Sequence, residues 1–286
     1  MTTAKISFPI SGDKLYQERA REALPLLVRQ AKASAPIFYS DLAGELGMPN
    51  PRNLNYVLGS IGQSMELLSK SWKEKVPPIQ CLVVNRTTGL PGEGIGWFLV
   101  KKEEFKSLPL RQKRAIVEAE LQHVFAYPRW VEVLAALSLA EVGYDFSASV
   151  SAASGGFGGG EGAGHKALKL FVASHPEIVG LPANSGKGVN EFALPSGDCL
   201  DVSFQHRKLW VAVEVKSTIS SEADIARGLF QCIKYRAVVE AVQVATARPQ
   251  SARAVLVLEG KLPQSLVVLR NLLGVEVVEG VVPKNG

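Results

Sequence analysis

Residues 200–218, LDVSFQHRKLWVAVEVKST, constrain the fold more than any other stretch of the chain. Apolar residues alternate along two short runs, Leu200, Val202 and Phe204 in the first and Leu209, Val211, Val213 and Val215 in the second. Alternation at period two marks β-strands with one buried face, and the polar segment Gln205–Lys208 between the runs predicts a hairpin. If pairing is centred on that segment, the apolar residues share one face. Asp201, Ser203, Trp210, Ala212, Glu214 and Lys216 then share the other, with Asp201 directly across from Glu214. Carboxylates opposed on neighbouring strands repel, so this face is either solvated or supplied with a counter-charge. Ser203 and Ala212 are small and Trp210 is large and apolar, a poor set for a solvated face. The better reading is a functional cluster in which Lys216 provides one positive charge.

The rest of the chain sets the context. Its 286 residues suffice for two ordinary domains with their own cores, and 47% hydrophobic with 21% charged residues describes a globular protein. A formal net charge of +5 suits a polyanionic partner. Cys81, Cys199 and Cys232 are odd in number, far apart and free of any CxxC pair. That argues against a disulfide framework and a zinc knuckle and favours a reducing compartment. No signal-peptide pattern opens the sequence, and no apolar run approaches the roughly 18 residues of a membrane span. A cytoplasmic protein without a membrane partner is expected.

Composition breaks at SASVSAASGGFGGGEGAG, residues 147–164, which predicts a flexible linker without the GxxxxGK[ST] pattern of a phosphate loop. The expected plan is a domain at 1–146, a Gly/Ser-rich linker at 147–160 and a second domain at 161–286. In the first domain a helical period covers residues 15–33. A short helix follows, capped near Tyr39-Ser40-Asp41 and ending at Gly47; a turn runs through Pro49 and Pro51, and another helix starts near Arg52. This is a helix-turn-helix outline. PIQCLVVN then predicts a strand and RTTGLPGEGIGWFLV a turn-rich return, together a wing, and residues 109–142 add one or two helices.

Residues 36–98 resemble the winged-helix DNA-binding domain of the alkylguanine-DNA alkyltransferases and alkyltransferase-like proteins. The resemblance rests on FYSDLAGELGMP, on VLG at 57–59, and on PPIQCLVVN followed by TGLPGEG. It implies DNA contact by Tyr39 and by the second helix, at whose start stand Arg52, Asn53 and Tyr56. The nucleophilic Cys of that family falls on Gln80, its His on Cys81 and its base-displacing Arg on Tyr56, departures that argue against alkyl transfer.

In the second domain the expected order is helix, strand, strand, strand, helix, strand, an α/β arrangement. EGAGHKALKLFVAS puts Leu168, Phe171 and Val172 on one helix face, with Glu161 and His165 four apart near its start and Pro176 as its stop. SSEADIARGLFQCIKYRAVVEA opens on a Ser cap with Asp224 three residues on, and Arg227, Gln231 and Tyr235 recur at intervals of four. Asp201, then Glu214-Val215-Lys216 at the end of an apolar strand, Glu161 on the preceding helix and Gln231-x-x-x-Tyr235 on the following one resemble the PD-(D/E)xK nuclease superfamily over residues 158–280.

That resemblance implies a restriction-endonuclease-like αβββαβ core behind an N-terminal, mostly α, winged-helix-like domain. It implies Asp201, Glu214, Lys216, Glu161, Gln231 and Tyr235 as catalytic residues, and Asp201, Glu214, the Val215 carbonyl and Glu161 as metal ligands. Arg227, in one stripe with Gln231 and Tyr235, would face the DNA phosphate; His165 is expected either to touch a phosphate or to act as a helix-capping partner of Glu161. Hard oxygen ligands suit Mg²⁺ or Mn²⁺, and Mg²⁺ takes only one or two protein carboxylates. The expected activity is a metal-dependent deoxyribonuclease acting in restriction, defence or repair, as a homodimer if it cuts both strands. The alternative is a non-catalytic DNA-binding or damage-sensing protein built on an idle nuclease fold. Asp198 in PSGD is expected as a turn residue and Glu191 as a surface charge or second-metal ligand. His123, His175 and His206 lack metal-ligand spacing.

Overall fold

The protein is described here from a computed structural model that covers residues 8–99, 102–155, 162–247 and 251–283. The chain is mixed α/β and divides into two compact units, Met1–Tyr144 and Asp145–Gly286. Among the described residues no helix is long and apolar enough to cross a membrane.

The first unit is mostly helical. Helix α1 (Leu15–Lys32) buries Ala20, Ala23, Leu24, Leu27 and Ala31, the three-and-four spacing of one helix face. Against that face packs α3 (Leu54–Trp72) through Val57, Leu58, Ile61 and Met65. Strand β1 (Ile37–Phe38) leads into α2 (Tyr39–Glu45), and the 3-10 turn Pro51–Asn53 leads from there into α3. Asn50 starts that turn by accepting the Arg52 backbone N–H at 3.0 Å, the use of Asn expected at a helical N-cap. The two helices joined by a turn are thus present.

Among the described residues a wing is absent. PIQCLVVN forms the 3-10 turn Ile79–Leu82 and only a short strand, β2 (Val83–Val84), which pairs in parallel with β1. Where the turn-rich return is expected, the chain forms the 3-10 turn Glu93–Ile95 and the short helix α4 (Gly96–Leu99), followed by α5 (Lys102–Ser107). Pro77, Pro78 and Pro91 lack ladder N–H groups and the glycines at 89, 92, 94 and 96 weaken extended structure, so this segment turns repeatedly. Helices α6 (Leu110–Ala126) and α7 (Trp130–Ala136) close the unit, with Trp130 donating its indole N–H to the Val124 carbonyl at 2.8 Å.

The second unit starts with α8 (Ser147–Ser154), inside the segment expected to be a linker. Ala is the best helix former, whereas Ser is a weaker one; Ala153 buries against the core, and Arg227 donates to its carbonyl at 2.9 Å, tying α8 down. Helix α9 (Ala163–Ser174) follows, then strands β3 (Val189–Ala193), β4 (Cys199–His206) and β5 (Leu209–Lys216), helix α10 (Glu222–Ala245), strand β6 (Ser251–Leu258), helix α11 (Val267–Leu273) and strand β7 (Glu276–Val278). The sheet runs β3-β4-β5-β6-β7, antiparallel across its first three strands and parallel across its last three.

Each face of the sheet has its own core. Leu168 and Val172 of α9 pack with Val202, Phe204, Val211, Val213, Val215, Val255 and Val257. On the opposite side α10 covers Leu256 and Leu258 with Ile225 and Leu229, and covers Trp210 and Ala212 with Tyr235 and Val239. Each fully buried Leu or Val of these layers contributes about 1.5–3 kcal/mol, and the odd–even split along β5 and β6 is the period-two pattern seen in the sequence. Pairing of β4 with β5 follows the predicted register, Phe204 with Val211 and Val202 with Val213. The strands extend further than expected, however: Gln205 pairs with Trp210 and His206 with Leu209, so the turn is only Arg207-Lys208, with Arg207 at φ +55°.

Strand β4 breaks its alternation once. Val202 and Phe204 face α9, whereas Leu200, expected beside them, packs with Trp210, Ala212 and Tyr235 on the α10 side. Its neighbour β3 does the same, since Asn190 pairs with Val202 while Phe192 pairs with Leu200 and packs against Trp210. Both strands change face at Glu191 and Asp201. Glu191 shows the backbone cause, a left-handed φ of +52° in the middle of a strand. For a residue with a Cβ that conformation costs on the order of 1–3 kcal/mol, and such strain gathers at functional sites.

Candidate functional site

The site is built around the change of face. Because β4 turns there, Asp201 does not continue the ladder; its Oδ2 instead accepts the Val215 backbone N–H at 2.9 Å. Its Oδ1 lies 3.5 Å from His165 Nε2 and 3.9 Å from Lys169 Nζ, both on α9. Glu214 points to the α10 side. One of its oxygens, Oε1, accepts from Lys216 Nζ at 2.8 Å, and the other, Oε2, lies 3.2 Å from the Tyr235 hydroxyl. That hydroxyl also lies 3.2 Å from the Cys199 carbonyl and accepts from Gln231 Nε2 at 3.2 Å. Gln231 Oε1 is buried without a hydrogen-bond partner among the described residues. Asp201, Glu214, Lys216, His165, Gln231 and Tyr235 therefore form one connected cluster.

Electrostatics divide the two carboxylates. Burial raises the Asp201 pKa, but hydrogen bonds from His165 and the Val215 N–H, with the charges of His165 and Lys216, outweigh it and hold the group below the ordinary aspartate range. Glu214 is only 4% exposed. Burial first, and the Asp201 charge second, push it up to about 7 against the opposing pull of Lys216 and Tyr235. Burial and the neighbouring Glu214 and Asp201 charges likewise raise Tyr235, so its hydroxyl serves as a neutral hydrogen-bonding group.

Helix α10 reaches the cluster because Gly228 has no side chain. A Cβ there would stand 2.9 Å from Leu256 Cδ1 and 3.1 Å from Lys216 Cε. The helix backbone thus lies directly on the Lys216 stem, which restricts the rotamers open to that ammonium. Gly228 was not singled out from the sequence, although a glycine inside a long helical pattern is the signal that could have found it. Lys169 was missed too. It stands four residues after His165, on the same helical face, and only 6% of it is exposed.

Other expected residues lie elsewhere or have other partners. Arg227 is occupied by the Ala153 carbonyl and by Asp224 at 3.0 Å, at the start of α10. Asp198 takes Ser196 and Lys234 as partners in its turn. Glu161 lies outside the described residues. In the first unit Arg52 and Asn53 are exposed at the entry to α3, and Tyr56 is exposed with its ring centroid 6.1 Å from that of Tyr16. Tyr39 is half-buried; its hydroxyl accepts the Gly92 N–H at 3.0 Å, and burial raises its pKa. Gln80 and Cys81 are both buried.

The donor set fits a hard divalent cation. Asp201 and Glu214 offer carboxylate oxygens close enough for the charge of one to raise the pKa of the other, and a cation shared by both would relieve that repulsion. Among the described residues no three His, Cys, Asp or Glu side chains group as a complete protein cage, so water would fill the remaining positions. Compared with protein-family models, with curated proteins and with solved structures, the chain returned no match.

Proposed function

We propose that the second unit is a PD-(D/E)xK nuclease domain with a restriction-endonuclease-like core, and that the protein hydrolyses DNA phosphodiester bonds with Mg²⁺ or Mn²⁺ in restriction, defence or repair. The observation that carries this reading is the convergence of Asp201, Glu214 and Lys216 where β4 parts from β5, with Tyr235 of the next helix on the Glu214 carboxylate. When bound, the cation supplies a Lewis acid that polarises the phosphoryl oxygens and acidifies a water. Asp201, Glu214 and the Val215 carbonyl would hold it, with Glu161 a further ligand implied by the resemblance.

The chain's own groups do the rest. Tyr235, aligned by Gln231, fixes one Glu214 oxygen, and Lys216 fixes the other. Lys216 stabilises the negative charge that gathers on the phosphoryl oxygens as water attacks phosphorus and the bond to the leaving oxygen breaks. The proton lost by the water ends on solvent or on the leaving oxygen. His165, beside Asp201 at the start of α9, faces the same phosphate. Digestion of labelled linear and circular DNA with Mg²⁺, Mn²⁺ or chelator tests the activity: cleavage is expected with either metal and absent with chelator, and no cleavage under any condition sinks the reading.

In the first unit, Arg52, Asn53 and Tyr56 are proposed to meet DNA at the entry to α3. Because Met1–Tyr144 has its own core, this fragment is expected to bind duplex DNA alone, with affinity falling steeply between low and moderate salt as counter-ions are released. Binding that is absent, or indifferent to salt in a filter or fluorescence assay, rules out that surface.

A further inference from the structure

Lys169 is the group in this cluster that the chemistry above leaves unused. It is a lysine with 6% of its surface exposed, and its ammonium lies 3.0 Å from Glu191 Oε1 and 3.9 Å from Asp201 Oδ1. A lysine is rarely buried so deeply unless paired. Here the pairing has been arranged at a cost to the backbone, because Glu191 holds φ +52° in mid-strand and that conformation accompanies the change of face beside Asp201. The Lys169 ammonium and the Glu191 carboxylate stand in salt-bridge geometry at 3.0 Å.

The two oxygens of Asp201 have different company. Oδ2 lies on the β5 side, on the Val215 N–H next to Glu214, while Oδ1 lies towards α9, near Lys169 and His165. Three carboxylates, Glu191, Asp201 and Glu214, thus have two places for positive charge. Lys216 and a divalent cation serve the Asp201–Glu214 side; on the Glu191–Asp201 side the positive charge is already covalently part of the protein.

We propose that Lys169 is a built-in cation that takes the place of a second metal ion between Glu191 and Asp201, and so restricts this site to one divalent cation per chain. The inference rests on the metal-dependent reading and adds the number of ions. Lys169 is a positioning residue: it neutralises Glu191 and the α9-facing oxygen of Asp201, leaving Asp201 free to share a single ion with Glu214. Without the ammonium, Glu191 and Asp201 would present two carboxylates to a shared space, enough for a hydrated Mn²⁺.

The test is Mn²⁺ binding to the full chain, counted by calorimetry and by the loss of free-ion electron paramagnetic resonance signal, with circular dichroism to confirm the fold. Wild type is expected to bind one Mn²⁺, Asp201→Asn none, and Lys169→Met two. Lys169→Met with Glu191→Gln is expected to return to one, since the second ion loses a ligand. Lys169→Gln, which retains a hydrogen-bonding group for Glu191, should also bind two and replaces Lys169→Met should that variant fail to fold. Two ions on wild type, or one on both Lys169 variants while wild type binds one, overturns the proposal but leaves the nuclease reading standing. No ion on wild type overturns both.

Discussion

Replacing Lys216 with methionine is expected to slow metal-dependent DNA cleavage by about a hundred- to a thousandfold, the usual loss when one preorganised stabiliser of transition-state charge is removed. Methionine keeps the apolar stem that packs under Gly228 and removes only the ammonium. DNA affinity should change little, because phosphate contacts distributed over a surface dominate binding. Single-turnover rates and equilibrium binding on one labelled duplex separate the two effects. A rate within a few-fold of wild type would remove Lys216 from the chemistry, and a parallel collapse of binding would give it a binding role instead.

A second large effect is on stability. Glu214 is buried with its carboxyl raised from an ordinary 4.5 to about 7, so the folded state binds its proton more tightly than the unfolded state does. Its contribution is therefore fully favourable below about pH 4.5, declines as pH rises, and is lost above about pH 7. The loss is on the order of 3 kcal/mol. Glutamine at 214 retains a partner for Lys216 and Tyr235 and carries no charge. In the presence of chelator, Glu214→Gln is expected to melt several degrees above wild type at pH 8, with the two melting curves converging toward pH 4.5. Equal or lower melting temperature for the variant at pH 8 would show that the carboxylate is fully compensated in its ionised form.

This assigns the strain differently from the sequence. Two opposed carboxylates suggest shared repulsion, with Asp201→Asn relieving it. In the structure the Val215 N–H and His165 hold the Asp201 carboxyl low, whereas burial and the Asp201 charge hold that of Glu214 high. Alternation could place Glu214 and Lys216 on a strand and could set the register that brings Asp201 near, because both follow from a regular pleat. It could not show that β4 and β3 change face at Asp201 and Glu191, since period two assumes that no residue leaves the extended region.

The same limit explains the other differences. SASVSAAS looked like linker because its helix is held by one buried alanine and by Arg227, a partner distant in sequence. That the described residues form no wing follows from prolines and glycines visible in the sequence, but their combined effect on pairing depends on β1, with which β2 pairs. Lys169 carries no signal of its own in the sequence, because only the fold of β3 brings Glu191 to it.

The central claim is that Asp201, Glu214 and Lys216 form one hydrolytic site, and its most direct test is the conversion of supercoiled plasmid by wild type and by Asp201→Asn, side by side, in Mg²⁺ and in chelator. The account predicts nicked or linear product only from wild type with metal, and intact plasmid from the variant and from every chelator lane. Equal conversion by both proteins, or conversion that persists in chelator, would contradict it.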